Sequence, residues 1–332
     1  MATTPFCLRL LNLQRRPRKR ANFEFGHSAM TSSLAKVGFG VFKPKDSRAP
    51  RTGALLAPAV GLLLIWMIVP LTMTLWFSFQ RYNLQNPLIS GFAGFNNYKF
   101  LLLYKTLWIS IGNTLVLVGS VLSLTIVFGV LFAVVFDEAF FGRNIARLLV
   151  IAPFFVMPTV SALIWKNLLM HPVNGLFAWI TRSLGLGVVD WFAQAPMISI
   201  IIIVAWQWIP FASLILMTAM QSLDREQMEA AYLDGARGLS MFWFITLPHL
   251  FRPISVVVMI ETIFLLAVFA EILVTTSGGP GNATTTLTYL IYLKALLQWD
   301  VGGASAAGVI AIILANVVAA FLIRTVARNL AD

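Results

Sequence analysis

Uncharged runs long enough to cross a lipid bilayer recur along this chain, at 52–80, 106–136, 148–165, 191–223 and 301–323. A sixth run, 253–274, is interrupted only by Glu261 and Glu271. A hydrocarbon core about 30 Å thick takes roughly 20 apolar residues of helix, and a backbone in lipid must satisfy its own N–H and C=O groups. These constraints predict an all-α membrane protein of about six transmembrane helices, near 54–79, 107–136, 146–166, 197–222, 253–274 and 303–327. A transmembrane β-barrel needs short segments of alternating hydrophobicity, which these runs are not. The first run starts beyond residue 50 and is too long for a signal-peptide core, so it is expected to stay in the membrane. Only 11% of residues are charged, against about 25% in soluble domains.

The net charge of +11 suggests nucleic acid until its placement is considered. Eleven of the 24 Lys and Arg residues precede the first span, and 18 fall on the side of the tail and the 137–147 and 223–252 loops, against 6 opposite. By the positive-inside rule both termini are expected in the cytoplasm, with residues 1–51 forming a basic, largely disordered tail against lipid headgroups. No nucleic-acid partner is expected. The lone Cys7 permits no intramolecular disulfide and no thiolate metal cluster. Within the spans, Pro58 and Pro70 are expected to kink the first and Pro153 and Pro158 to interrupt the third. External loops are expected at 79–105, 166–196 (with an amphipathic stretch at 176–184) and 275–303.

One long cytoplasmic loop, 223–252, stands out. Asp224 is a good N-cap that Gln227 can answer in a capping box, Glu226 and Glu229 suit the positive end of a helix, and Gly235 suits a left-handed stop. Met228, Ala231 and Tyr232 share one face. A second apolar stretch, 239–247, is expected to end at Pro248. Physics alone reads this as an amphipathic helix on the membrane. Its spacing says more. Glu229, Ala230 and Ala231 are followed by Asp234, Gly235 and Ala236, and nine residues separate Gly235 from Ile245, Thr246, Leu247 and Pro248. This resembles, without a gap, the Glu-Ala-Ala loop of binding-protein-dependent ABC import permeases. The resemblance implies the type I importer permease fold and a coupling helix at 224–248 that docks on a separate ATPase subunit. No phosphate-binding loop of the Gly-x-x-x-x-Gly-Lys-Ser/Thr type occurs, so ATP hydrolysis is expected in a partner and neither enzyme activity, cofactor nor metal in this chain.

A second stretch, with Gly278, Gly279 and Pro280 in an expected external turn followed by Thr284–Thr286, Thr288, Tyr289 and Tyr292, resembles carbohydrate permeases of that family and most closely the sorbitol and mannitol (polyol) permeases. The implied assembly pairs this chain with a second homologous permease, two ATPase subunits and an extracytoplasmic solute-binding protein in the bacterial inner membrane. Among intramembrane polar residues, Trp206, Gln207 and Trp208 form the most sugar-like grouping, since indole faces cover C–H surfaces while an amide meets hydroxyls. A carboxylate in a span needs a partner or a wet cavity; Glu271 reads equally as a pathway lining or a structural partner, and Glu261 reads more as a structural partner than as a lining. Asn113 and Asn316 fit inter-helix hydrogen bonds better than solute contacts. A membrane enzyme lacks parts here. His27, His171 and His249 all lie outside the spans, with no His-Glu-x-x-His pair. A proton-coupled secondary transporter with Glu261 as relay is the remaining alternative; it predicts duplicated broken helices, which the sequence does not show.

Overall fold

The computed structural model describes residues 52–331, so the expected basic tail over 1–51 lies outside the described residues. The chain divides after Leu62 into two units, and all that follows concerns the second, Leu63–Asp332. The helix α1 (Thr52–Ser78) spans that boundary and carries Pro58 and Pro70 without a break. Its apolar window is unburied within this chain.

Three long helices build the core: α3 (Lys105–Val135), α8 (Pro196–Met220) and the helix Leu239–Leu265, here α11 from Leu247. Each is Val/Leu/Ile-rich on all sides, as a helix needs to be when one side meets lipid and the other meets protein. With no hydrophobic drive between helices in lipid, close packing has to hold them. Gly129 on α3 shows how: a Cβ there would sit 2.9 Å from Ala212 Cβ and 3.2 Å from Leu216 Cδ1 of α8. Toward the N-terminal half of α3, Leu117 and Val121 pack with Ile200, Val204, Leu265 and Ile272. Toward its other end, Val130, Ala133 and Phe136 meet Leu216, Met220 and Leu250. The last helix, α14 (Val301–Ala331), buries the small residues Ala306 and Ala307 against Leu107, Leu287 and Leu290.

Two of the expected spans are not single helices. In the third, the segment Arg143–Phe155, comprising α4 (Arg143–Ile151) and a 3₁₀ turn, meets Pro158–Leu169 at a 108° bend. Pro153 and Pro158 sit at that bend because neither has an N–H to continue the ladder. The second limb is α5 (Pro158–Ile164) prolonged by the π-helical turn Trp165–Leu169. The fifth span starts earlier than expected. Helix persists from Leu239 through a π turn (Phe242–Thr246) into α11, so Pro248 lies in the first turn of α11 and ends nothing. It then breaks after Leu265, and a separate six-residue helix, α12 (Ala270–Thr275), carries Glu271. With the bent pair counted as one span, the described residues hold up to six candidate membrane crossings, by length and composition.

The expected loops contain more structure than turn residues alone suggested. A short hairpin pairs β1 (Gln80–Arg81) with β2 (Gly91–Phe92), and α2 (Asn96–Leu103) follows. The amphipathic stretch folds as α6 (Leu176–Ser183), ahead of the single turn α7 (Trp191–Gln194). In the 275–303 segment, a helix with its own apolar face, Leu287–Leu297 (α13, Leu287–Tyr292, plus a π turn), packs between α3 and α14.

Candidate functional site

The loop after α8 folds as the helix α9 (Arg225–Leu233). Asp224 caps it, its Oδ1 accepting from the Glu226 N–H at 3.0 Å, so the cap closes one residue earlier than the capping box with Gln227 predicted. Gly235 stops the helix at φ 86° with no atom within 4 Å of a built Cβ. Glu229, Ala230, Asp234 and Gly235 are all exposed, with Tyr232 and Leu233 beside them. Ala231 and Ala236 are half-buried, and the Ala231 carbonyl accepts from the Ala236 N–H. Leu247 and Pro248 stand at the start of α11, so the loop runs directly into a core helix. The result is a small, acidic surface with apolar neighbours, placed between α8 and α11 in the chain.

A second feature lies farther along the same two helices. At 1.5 Å rise per residue, Gln207 is about 20 Å from the α8 terminus at Met220. There a cleft of about 470 Å³ is walled by Phe154, Trp208, Phe264 and Phe269, with Gln207 and Glu271 as its polar groups. Trp208 stands edge-on to Phe154 (centroids 6.0 Å, 77°) and tilted on Phe264 (5.3 Å). Gln207 Nε2 donates to the Val156 carbonyl, exposed by the proline bend, at 2.7 Å. Its Oε1 is buried without a protein partner. Glu271 is buried in the first turn of α12, and no lining residue is Lys or Arg. Apolar walls with few polar anchors are the common lining of a small-molecule site.

The structure thus brings Gln207, Trp208 and Glu271 together and leaves the other sequence candidates elsewhere. Trp206 faces away, stacked edge-on against Trp165 at 5.7 Å. Glu261 is fully buried beside α3, one oxygen accepting from Thr125 Oγ1 at 2.6 Å and the other without a partner. Asn316 donates to Ile312 O of its own helix and borders a separate apolar groove between α11 and α14. Asn113 Nδ2 donates to Asn282 O and Thr285 O at 2.9 and 3.0 Å, fastening the turn of Gly278, Gly279 and Pro280 to α3. That turn depends on glycine: Gly278 has φ 82°, and a Cβ there would lie 2.6 Å from Tyr289 Cε1. The buried Thr284 and Thr285 hydroxyls bond the Gly279 and Gly278 carbonyls. Sequence reasoning missed Phe154, Phe264 and Phe269 as cleft walls. The signal for the first was present, since Phe154 adjoins Pro153 at the interrupted span.

The family profile described as the binding-protein-dependent transport system inner membrane component matches residues 125–332. The chain belongs to this family. The permease is 35% identical to a probable ABC transporter permease protein of Sinorhizobium fredii, over 80% of this chain and 86% of that one. It is 34% identical to the trehalose/maltose transport system permease protein MalF of Thermococcus litoralis (72% and 81% covered). It is 30% identical to the sn-glycerol-3-phosphate transport system permease protein UgpA of Rhizobium meliloti (83% and 94%). A chain in the crystal structure of a bacterial ABC transporter importing the acidic polysaccharide alginate superposes with TM-score 0.71 at 25% identity, covering 83% of the permease and 95% of that chain. Another alginate transporter structure, in complex with a periplasmic protein carrying an alginate pentasaccharide, matches equally well. The type I importer permease fold expected from the sequence is therefore the fold observed, and the relatives are transport permeases.

Proposed function

We propose that this permease forms half of the translocation pathway of an ATP-driven importer for a neutral carbohydrate, with polyols such as sorbitol and mannitol in its range. The cleft carries this reading. It pairs aromatic walls with one amide and one carboxylate and has no lining cation. Relatives named for trehalose, maltose and glycerol phosphate span neutral and anionic solutes. The cleft disfavours the anionic ones, because a charge taken out of water needs a partner of opposite sign and no Lys or Arg lines it. In the same reading, residues 224–248 form the coupling loop, with Glu229, Ala230, Ala231, Asp234, Gly235, Ala236, Leu247 and Pro248 meeting an ATPase subunit. Two ATPase subunits, a second homologous permease and an extracytoplasmic solute-binding protein complete the assembly. Both termini lie in the cytoplasm, and the turn at Gly278, Gly279 and Pro280 lies on the outer side. Rigid-body shifts of packed helices carry ATP-driven movement from α9 to the cleft.

Solute choice tests the proposal. With the complete importer in liposomes, trehalose, maltose, sorbitol, mannitol and glycerol phosphate are each supplied and ATP turnover is followed. Stimulation by at least one neutral solute and none by glycerol phosphate is the expected result. Stimulation by the phosphate alone contradicts it.

A further inference from the structure

The bend in the third span also bears on the cleft from behind. Lys166 lies in the π-helical turn Trp165–Leu169, and its Nζ donates to Val274 O at 2.9 Å and Thr275 O at 2.8 Å. These are the last two carbonyls of α12, the short helix whose first turn holds Glu271. A cation suits that end of a helix, both for the dipole and for the carbonyls left without intrahelical donors. Among the described residues the one ion pair is Lys294–Asp300, so Lys166 is held by carbonyls and by no carboxylate.

α12 depends on its neighbours for its placement: it packs on α5 and α8 as well as on Lys166. It is a six-residue helix cut off from α11 by a break on one side and followed on the other by Ser277 at φ 49°. So short a helix cannot stabilise itself by propagation, and its placement follows from what grips it. Ile272 anchors one face in the core cluster with Ile200 and Leu265. Lys166 holds the end. We infer that Lys166 is a positioning residue: by gripping the C-terminal carbonyls of α12 it sets where Glu271 stands in the cleft, and so which solutes pass. The inference rests on the cleft being the solute pathway.

The test uses the complete importer in liposomes and uptake of trehalose, maltose, sorbitol and mannitol. Four variants are compared: Lys166→Met, Lys166→Arg, Glu271→Gln, and Lys166→Met with Glu271→Gln. Losing two charge-assisted hydrogen bonds should cut uptake about tenfold in Lys166→Met. The ratio between accepted solutes should shift in the same sense as in Glu271→Gln. Lys166→Arg should restore at least about half of the uptake, since it keeps the cationic donor. The double variant should be no worse than the poorer single one, because residues acting through one another are not additive. All four should still co-purify with the ATPase. Normal uptake in Lys166→Met, losses that multiply in the double variant, or failure of both Lys166 variants to assemble would each overturn the inference. A silent Glu271→Gln instead sinks the pathway reading itself, which keeps the two failures apart.

Discussion

Glu229→Lys is expected to abolish ATP-driven uptake, lowering it by about tenfold or more, while the chain still reaches the membrane. Glu229 is exposed on α9 and makes no ion pair among the described residues, so the fold does not depend on its charge. Reversing a charge at a docking surface costs a complex more than the roughly 1.4 kcal/mol that separates a factor of ten in affinity. Gly235→Val should act similarly by another route. Its φ of 86° suits glycine, and nothing lies within 4 Å of the added Cβ, so the penalty is in the backbone and not in a clash. A left-handed residue with a side chain costs about 1–2 kcal/mol, and β-branching adds to that. The helix end then shifts on the surface proposed to meet the ATPase. Co-purification of the ATPase with tagged permease, read beside uptake, checks both variants. Normal transport by either one removes the coupling assignment from that residue.

The second large effect is expected at the cleft. Glu271→Gln keeps the shape of the side chain and removes its charge. A hydrogen bond to a charged group contributes about 1.5–3 kcal/mol, so uptake of a neutral solute should fall about tenfold or more. Trp208→Ala removes the indole that meets Phe154, Phe211 and Phe264. Uptake should fall at least as far, with the preference among solutes altered, because the aromatic wall proposed to cover sugar C–H surface is gone. Initial-rate uptake over a range of solute concentrations is the measurement. Unchanged kinetics in both variants would place the pathway outside this cleft.

Lipid made much of the fold legible. A span must be long and apolar whatever its sequence, so α1, α3, α8 and α14 could be placed within a few residues. Where the chain breaks its helices, sequence was a poorer guide. Pro153 and Pro158 announced an interruption, but not its 108° direction. Pro248 read as a stop, yet the helix continues through it, with a π turn immediately before it where the regular ladder is interrupted. The threonines at 284–286 fall in the expected external loop 275–303. They are buried because they supply the hydrogen bonds that an irregular backbone among apolar helices otherwise lacks.

At the candidate site, residue type was readable and direction was not. Trp206 and Trp208 looked alike as a pair. Two positions apart on a helix they point to nearly opposite sides, and only Trp208 lines the cleft. Glu261 leaned towards a structural partner and Glu271 stood open between the two roles, with nothing in the sequence to give either direction. Thr125 holds the first against α3, and the break after Leu265 turns the second into the cleft. Lys166 counted only as one of six outer cations, because its two acceptors lie more than a hundred residues away in sequence.

The central claim is that energy enters this permease from a neighbour's ATP and not from an ion gradient through its own buried carboxylates. Uptake into liposomes holding the complete importer, with ATP inside and a protonophore added, tests it directly. Transport that continues in the absence of a proton gradient and stops without ATP is the predicted result. Transport that follows the gradient and ignores ATP would contradict the account and return Glu261 to the role of a proton relay.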